Sequence, residues 1–255
     1  MRRPLLFLLA IVTAAMLSAC LTIENKVTLR ADGSGEQVAT VDLGEMISNP
    51  FFKMAMEEEM AKNGKPEGEQ SVDSTWVMLD QLGPLNPDWS AGERDLVGRA
   101  NGRMYINFEE GVGYVKTFFA FDDVAQIAQF NALMAKANKP EEENPMAGFG
   151  GQDGMLSSYT LQGKKFTCTS SVSPDFVNPM ANSDLGEEGA EMMKQMFSDA
   201  SIIYTLELPG KVKKVKGFPG HTVEGKTLTQ VIPFLDLMDK PQALVNALSG
   251  EVKFK

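Results

Sequence analysis

Residues 17–30 decide how this chain is organised, and they read LSACLTIENKVTLR. Apolar side chains alternate with polar ones from Leu21 to Leu29, which predicts a half-buried β-strand. Ala31-Asp32-Gly33-Ser34-Gly35 follows, and Asp-Gly between alternating apolar runs is typical of a hairpin turn. Val38 to Leu43 returns as the second strand, in a register that stays open because the turn could hold two to four residues. A folded body therefore begins directly at this stretch.

An export segment precedes the hairpin. Arg2 and Arg3 supply positive charge, and Leu5 to Met16 is a nearly continuous apolar run. A run of about 12 residues is too short for a bilayer core, which needs roughly 20. Two arginines, a short apolar run and small residues at its end are typical of a secretory signal.

Leu17-Ser18-Ala19-Cys20 resembles the lipobox of bacterial lipoproteins at all four positions. The resemblance implies a signal peptide over residues 1–19, cleavage before Cys20, a diacylglyceryl thioether on its sulfur and a further acyl chain such as palmitate. The alternative is an ordinary signal peptide followed by a coincidental cysteine. Two acyl chains anchor a protein stably, whereas one binds reversibly. Because Leu21 is not an aspartate and no acidic cluster follows, we expect the outer membrane, facing the periplasm.

The mature chain would run from Cys20 to Lys255. Without Arg2 and Arg3, the 24 basic residues become 22 against 34 acidic ones, a formal charge of −12. A body this acidic is a poor nucleic-acid binder. We expect residues 20–255 to form a single ectodomain, with a flexible loop at 138–154 that could instead mark a subdomain boundary.

Short strands and helices follow in an order dominated by hairpins. The strand at 112–121 is apolar on both sides, so we expect it at the centre of a sheet and covered on both faces. Helices are predicted from Asn49, after Asp123, after Asp184 and from Pro241. Together these predict an α+β fold, with an antiparallel sheet built from hairpins and three to four amphipathic helices packed mainly on one face.

Catalytic and metal-binding signatures are scarce. The chain has one histidine, His221, and no Gly-x-Ser-x-Gly or Ser-x-x-Lys sequence. Cys168 alternates with Phe166 on one strand face, which favours core packing over a reactive thiol. Asp32 begins a calcium-like sequence that fails at Gln37. We therefore expect no enzyme activity, no metal and no cofactor, although paired carboxylates of a hydrolase would leave no sequence signature.

Two features could bind a partner. Lys211, Lys213, Lys214 and Lys216 form a basic run that could contact lipid phosphates or an acidic partner. They could equally be an edge strand whose lysines prevent pairing between sheets. Met-Phe stripes on the helices after Asn49 and Asp184 could line an apolar groove or could simply be core.

Several blocks resemble a group of bacterial envelope lipoproteins, and the last of them are similar to the LppM-like lipoproteins. They are Val27-Thr28-Leu29, residues 32–35, Val41-Asp42-Leu43, residues 121–124, residues 204–212 and residues 223–226. The resemblance implies an α/β ectodomain and, in some members, lipid binding; it brings no catalytic residues. We expect a non-enzymatic, membrane-anchored envelope lipoprotein that binds an apolar or lipid ligand or a protein partner. A structural accessory subunit of an envelope complex is the alternative, and a hydrolase is third.

Overall fold

The computed structural model describes residues 22–48, 71–84, 86–137, 155–172, 198–239 and 241–255. The predicted signal peptide, Cys20, the predicted loop at 138–154 and the two Met-Phe helices lie outside these residues. Within the described part of the chain, no helix is long and apolar enough to cross a membrane.

Strands account for most of the regular structure. The strands are β1 Thr22–Leu29, β2 Gly35–Asp42, β3 Ser71–Val77, β4 Ala100–Asn107, β5 Val112–Phe121, β6 Met155–Gln162, β7 Lys165–Val172, β8 Ser201–Glu207, β9 Val212–Gly217, β10 Thr222–Glu224, β11 Thr227–Pro233 and β12 Gly250–Phe254. The helices are α1 Gly44–Ser48, α2 Met78–Leu82, α3 Ala91–Gly98, α4 Ala125–Ala137, α5 Phe234–Asp239 and α6 Pro241–Leu248.

These strands form two sheets. The large sheet has the order β10-β11-β8-β1-β2-β5-β4-β3, and the small sheet has the order β6-β7-β12-β9. Strand β1 lies inside the large sheet, antiparallel to β2 and parallel to β8. The stretch that follows Cys20 is therefore an interior strand of the larger sheet.

The predicted fold class is wrong. Most of the described residues lie in strands, which form two sheets, and helices packed on one face of a single sheet do not describe the fold. The hairpin β6–β7 pairs with β12, in a sheet separate from that of the first hairpin. Such pairings join residues far apart in the sequence, so local patterns carry no information about which sheet a hairpin enters.

A shared apolar core joins the two sheets. Leu29, Phe119 and Leu206 of the large sheet belong to the same buried cluster as Phe166 and Val252 of the small sheet. Phe119 also stacks on Phe130 of α4, with ring centroids 4.2 Å apart and planes 8° from parallel. Sheets that share a core in this way bury alternate residues of each strand.

Strand β5 corrects a second expectation. It lies between β2 and β4, in the interior of the sheet as predicted. Phe119 and Phe121 are buried, but Phe118 on the opposite face is half-buried and Ala120 is exposed. The prediction that β5 is covered on both faces is therefore wrong, and the large sheet has an inner and an outer face.

The first hairpin has the predicted turn. Thr22 pairs with Asp42 and Leu29 with Gly35. The Arg30 amide donates to the Ser34 carbonyl at 2.8 Å, which leaves three residues in the loop. The last of them, Gly33, has φ 89°, a conformation that glycine adopts without strain.

Contacts between the two sheets relate their ends, so two ends of the molecule can be defined. We call the end where β1 begins at Thr22 the proximal end, and the end with the hairpin turn at Gly33 the distal end. Leu161, at the β6–β7 turn, lies beside Gly33. Val172, at the other end of β7, packs against the cluster of Ile232. The β6–β7 turn is therefore distal.

Candidate functional site

The predicted basic run lies on β9, an edge strand of the small sheet. Among the described strands it pairs with β12 alone, and its Val212 and Val215 are half-buried and pack against the shared core. Lys211, Lys213, Lys214 and Lys216 are exposed. Lysines on an exposed edge discourage pairing with another sheet, so the edge-strand interpretation fits the position of β9.

Half-buried and exposed side chains alternate along most of β9, and a β-bulge accounts for the one place where they do not. Lys253 pairs with Lys214, but the next residue, Phe254, pairs with Val212. Lys213 is therefore the extra residue on β9. The bulge keeps Val212 on the inner face while two consecutive lysines stay in solvent.

The sheet adds lysines that the sequence run does not contain. Lys253 lies between Lys165 and Lys214, its direct cross-strand partners on β7 and β9. Neighbouring strands lie roughly 4.8 Å apart, so three lysine backbones fall within about 10 Å. Sequence analysis missed Lys165 and Lys253 because only the strand register brings them beside the run.

Further lysines surround this row. The Lys255 amide donates to the Lys211 carbonyl at 2.9 Å, and the Phe254 amide donates to the Lys164 carbonyl at 3.0 Å. We define the lysine face as Lys164, Lys165, Lys211, Lys213, Lys214, Lys216, Lys253 and Lys255. It gathers eight cations on one surface of an otherwise acidic protein.

The lysine face contains little to neutralise it. Glu251 is the one acidic residue in the four described strands of the small sheet, and it forms a 3.4 Å ion pair with Lys165. The other outward-facing residues of β7 are Thr167, Thr169 and Ser171. The outward surface of β7, β12 and β9 is therefore cationic and hydroxyl-bearing, with no large apolar side chain.

A cleft lies at the β3–β4 edge of the large sheet. This cleft of about 660 Å³ is lined by Thr75, Trp76, Val77, Asp80, Gln81, Asn101, Gly102, Arg103 and Phe118. Trp76 lies so close to Gly102 that a Cβ there would overlap the indole. The indole nitrogen donates to the Met78 sulfur at 3.2 Å.

Asp73 and Arg103, two charged side chains beside this cleft, form an ion pair. Arg103 donates two hydrogen bonds to Asp73, at 2.9 and 2.8 Å. These bonds lower the pKa of Asp73 and raise that of Arg103. A carboxyl with a lowered pKa stays ionised near neutral pH, so Asp73 is poorly suited to act as a general acid.

The remaining predicted residues have structural surroundings. Cys168 is buried in the shared core, as predicted, and desolvation raises the pKa of its thiol to about 11. A neutral thiol is a weak nucleophile. His221 lies in a turn, where its Nδ1 is 2.6 Å from the Phe218 carbonyl oxygen. The Asp32 carboxylate accepts from the Ser34 amide and hydroxyl, at 3.0 and 2.7 Å, and so fixes the hairpin turn.

One buried polar pair was not foreseen. The Gln37 amide donates to Asn25 Oδ1 at 3.1 Å, and both side chains are buried. Among the side-chain atoms that the structure describes, Gln37 Oε1 is buried without a hydrogen-bond partner. Within the described residues, no group of three or more His, Cys, Asp or Glu could hold a metal ion.

The fold and this surface define a two-sheet protein with a cationic face on its smaller sheet. No protein-family model matches the chain, and no curated protein matches it. Among solved structures, it shows a weak similarity to the folded domain of LppM from Mycobacterium tuberculosis, determined by NMR. The identity is 13% and the TM-score 0.35, over 93% of this chain and 92% of that one.

Proposed function

We propose that this protein is a lipid-anchored lipoprotein of the bacterial cell envelope that binds an anionic partner through the lysine face without catalysing a reaction. The observation that carries the proposal is the row Lys165, Lys253 and Lys214 on a protein of strongly negative net charge. Three adjacent cations cost stability through mutual repulsion. A function that uses them is a physical reason for their presence.

The anchor is supported by the sequence and by where regular structure starts. Leu17 to Cys20 resembles a lipobox, and β1 begins at Thr22. Two extended residues reach about 7 Å, so an acyl chain on Cys20 would hold the proximal end close to a bilayer. We propose that this membrane is the outer membrane and that the folded part of the protein lies in the periplasm.

The protonation and pairing of Cys168 and Asp73 are consistent with a non-catalytic role. The thiol of Cys168 is buried and neutral, and Asp73 is held by Arg103. The described part of the lysine face offers mainly positive charge, with one carboxylate, Glu251, already paired with Lys165. Such a surface can attract and orient an anionic partner, which is what binding requires.

The anchor and the binding surface are tested separately. Labelled palmitate fed to cells should be incorporated into the full chain and lost from a Cys20→Ala variant, which should leave the membrane fraction. Retention on phosphocellulose tests the surface. A Lys214→Gln/Lys253→Gln variant should elute at lower salt than the wild type. Lys116→Gln/Lys136→Gln removes the same charge elsewhere and is the control. Equal elution of both variants would contradict the assigned surface.

The cleft favours a second candidate function, the binding of a small ligand with an apolar part. Val77 and Phe118, on one face of the sheet, line it together with the polar Thr75 and Asn101. Pockets that combine apolar walls with a few polar groups are typical ligand sites. A hydrophobic dye should bind the wild type and bind Phe118→Ala less tightly; equal binding would remove this candidate. The groove predicted between Met-Phe helices falls on residues that the structure does not describe.

A further inference from the structure

The lysine face lies away from the predicted anchor. Strand β1 runs from Thr22 at the proximal end to Leu29 at the distal end. Eight residues of strand cover roughly 23 Å between the first and last Cα. A lipid on Cys20 and the hairpin turn at Gly33 are therefore at opposite ends of the large sheet.

The small sheet places its lysines near the distal end. Lys164 lies in the β6–β7 turn, beside Leu161, whose side chain is next to Gly33. Strand β7 then runs back from Lys165 to Val172, whose side chain packs near Ile232. Ile232 pairs with Ile202, which in turn pairs with Ile23 at the proximal end. The row Lys165, Lys253 and Lys214 thus sits at the distal end of the small sheet.

The composition of the lysine face favours one kind of partner. Protein–protein interfaces are depleted of lysine at their centre and depend on buried aromatic and apolar anchors. The outward surface of β7, β12 and β9 offers lysine, threonine and serine instead. Lysines are flexible, hydrated point charges, which suit a ligand with many equivalent anionic groups better than one shaped binding partner.

The spacing of the charges has the same implication. Lys165, Lys253 and Lys214 repeat at the strand separation of roughly 4.8 Å. A polymer that carries an anionic group at each short repeat can engage several lysines at once. Once one group is bound, the others bind at high effective concentration.

We propose that the lysine face binds a linear polymer bearing phosphate or carboxylate groups, on the side of the domain that faces away from the anchoring membrane. This inference rests on the proposed function, because it takes the anchor at Cys20 and the lysine face as given. It assigns the partner as a polyanion of the envelope rather than the head groups of the protein's own membrane. The molecule would thus hold a polymer and a membrane at opposite ends.

The experiment uses the full lipidated chain, purified from membranes and reconstituted into vesicles of neutral phosphatidylcholine. The probe is fluorescently labelled inorganic polyphosphate, and its dissociation constant is measured by fluorescence anisotropy. Each lysine near an anionic partner contributes roughly fivefold to affinity, so Lys214→Gln/Lys253→Gln should weaken binding about 25-fold. Lys116→Gln/Lys136→Gln should change it less than about twofold. Circular dichroism confirms that both variants fold.

A second arm separates the polymer from the membrane. The same proteins are placed in vesicles that also contain anionic phosphatidylglycerol. At physiological salt, charge effects fall off within roughly 8 Å, so a distal lysine face should bind polyphosphate with unchanged affinity. The contrary result is that anionic vesicles weaken polyphosphate binding by the wild type but not by Lys214→Gln/Lys253→Gln. It would mean that the anchoring membrane occupies the lysine face. That result overturns the polymer inference and leaves the proposed function intact.

The remaining outcomes are also decisive. If no protein binds polyphosphate in neutral vesicles while phosphocellulose retention still depends on Lys214 and Lys253, the lysine face attracts anionic groups without binding the free linear chain, and the inference is overturned alone. If both binding measurements are indifferent to these lysines, the proposed function falls with it.

Discussion

Lys165 and Lys253 are direct cross-strand neighbours in the small sheet, although they come from opposite ends of the second half of the chain. Like charges in such positions repel each other, and Lys214 on the far side of Lys253 adds a third. Within the part of the chain that the structure describes, Lys165 is the one member of this row with an ion pair, formed with Glu251. An anion bound across the three lysines would relieve this repulsion. The arrangement therefore favours the anion-bound surface over the free one.

Removal of the central charge should stabilise the fold and weaken binding at the same time. In Lys253→Gln, two repulsive contacts disappear, and we expect the free energy of unfolding to rise by about 0.2–1 kcal/mol. Urea denaturation at low salt measures this change, and polyphosphate affinity should fall in the same variant. The stability gain should shrink in high salt because ions screen the repulsion. A Lys253→Gln variant that is less stable at low salt would refute the repulsion.

The two faces of β5 should respond very differently to truncation. Phe119 is 1% exposed and stacks on Phe130, so Phe119→Ala should destabilise the protein by about 3–5 kcal/mol. Phe118→Ala, next in the chain but on the outer face, should cost less than half as much. Equilibrium denaturation of the two variants decides this. Equal losses would mean that the outer face of the large sheet is also covered.

Gly102 should tolerate no side chain while Trp76 is present. A Cβ at this position would overlap the indole, so Gly102→Ala should destabilise by about 1–3 kcal/mol. The same substitution in a Trp76→Ala background should cost much less. A double-mutant cycle on thermal unfolding gives the coupling. Additive effects would show that the contact with Trp76 is not what excludes a side chain at position 102.

Cys168 should make the fold sensitive to alkaline pH. Its thiol pKa is raised by burial from 9.0 to about 11, so between these values the unfolded chain releases a proton that the folded chain keeps. Unfolding is then favoured as pH rises, by about 1 kcal/mol at pH 10. The stability difference between wild type and Cys168→Ala, measured by urea denaturation, should change by this amount between pH 8 and pH 10. A difference independent of pH would contradict the shift.

Local patterns predicted many elements correctly. The strand at 112–121 and the helix that begins with Pro241 match β5 and α6. Helix α3 was missed, although its signal is in the sequence. Ser90 and Glu93 form a capping box in which each side chain bonds the other's backbone, at 3.3 and 2.8 Å. Pro84 and Pro87, a few residues earlier, are typical of an irregular segment, whereas the spacing of Ser90 and Glu93 is typical of a helix start.

The architecture and most of the site could not be predicted in this way. Alternation identifies a strand and its buried face but says nothing about its neighbours. The parallel pairing of β1 with β8 and the antiparallel pairing of β7 with β12 join distant parts of the chain. The lysine face depends on that second pairing. The sequence therefore revealed the lysines of β9 and concealed Lys165 and Lys253.

The central claim is that an anchored proximal end presents the lysine face away from its membrane. It is tested most directly by spin labels on the full lipidated chain in anionic vesicles, with accessibility to a water-soluble relaxation agent as the measurement. Pro233→Cys labels the proximal end, where it pairs with Ser201, and Gln162→Cys labels the residue opposite Lys165. We predict protection of the label at Pro233 by the bilayer, full accessibility at Gln162, and immobilisation at Gln162 when polyphosphate is added. A label at Gln162 protected by the bilayer and unaffected by polyphosphate would contradict the account.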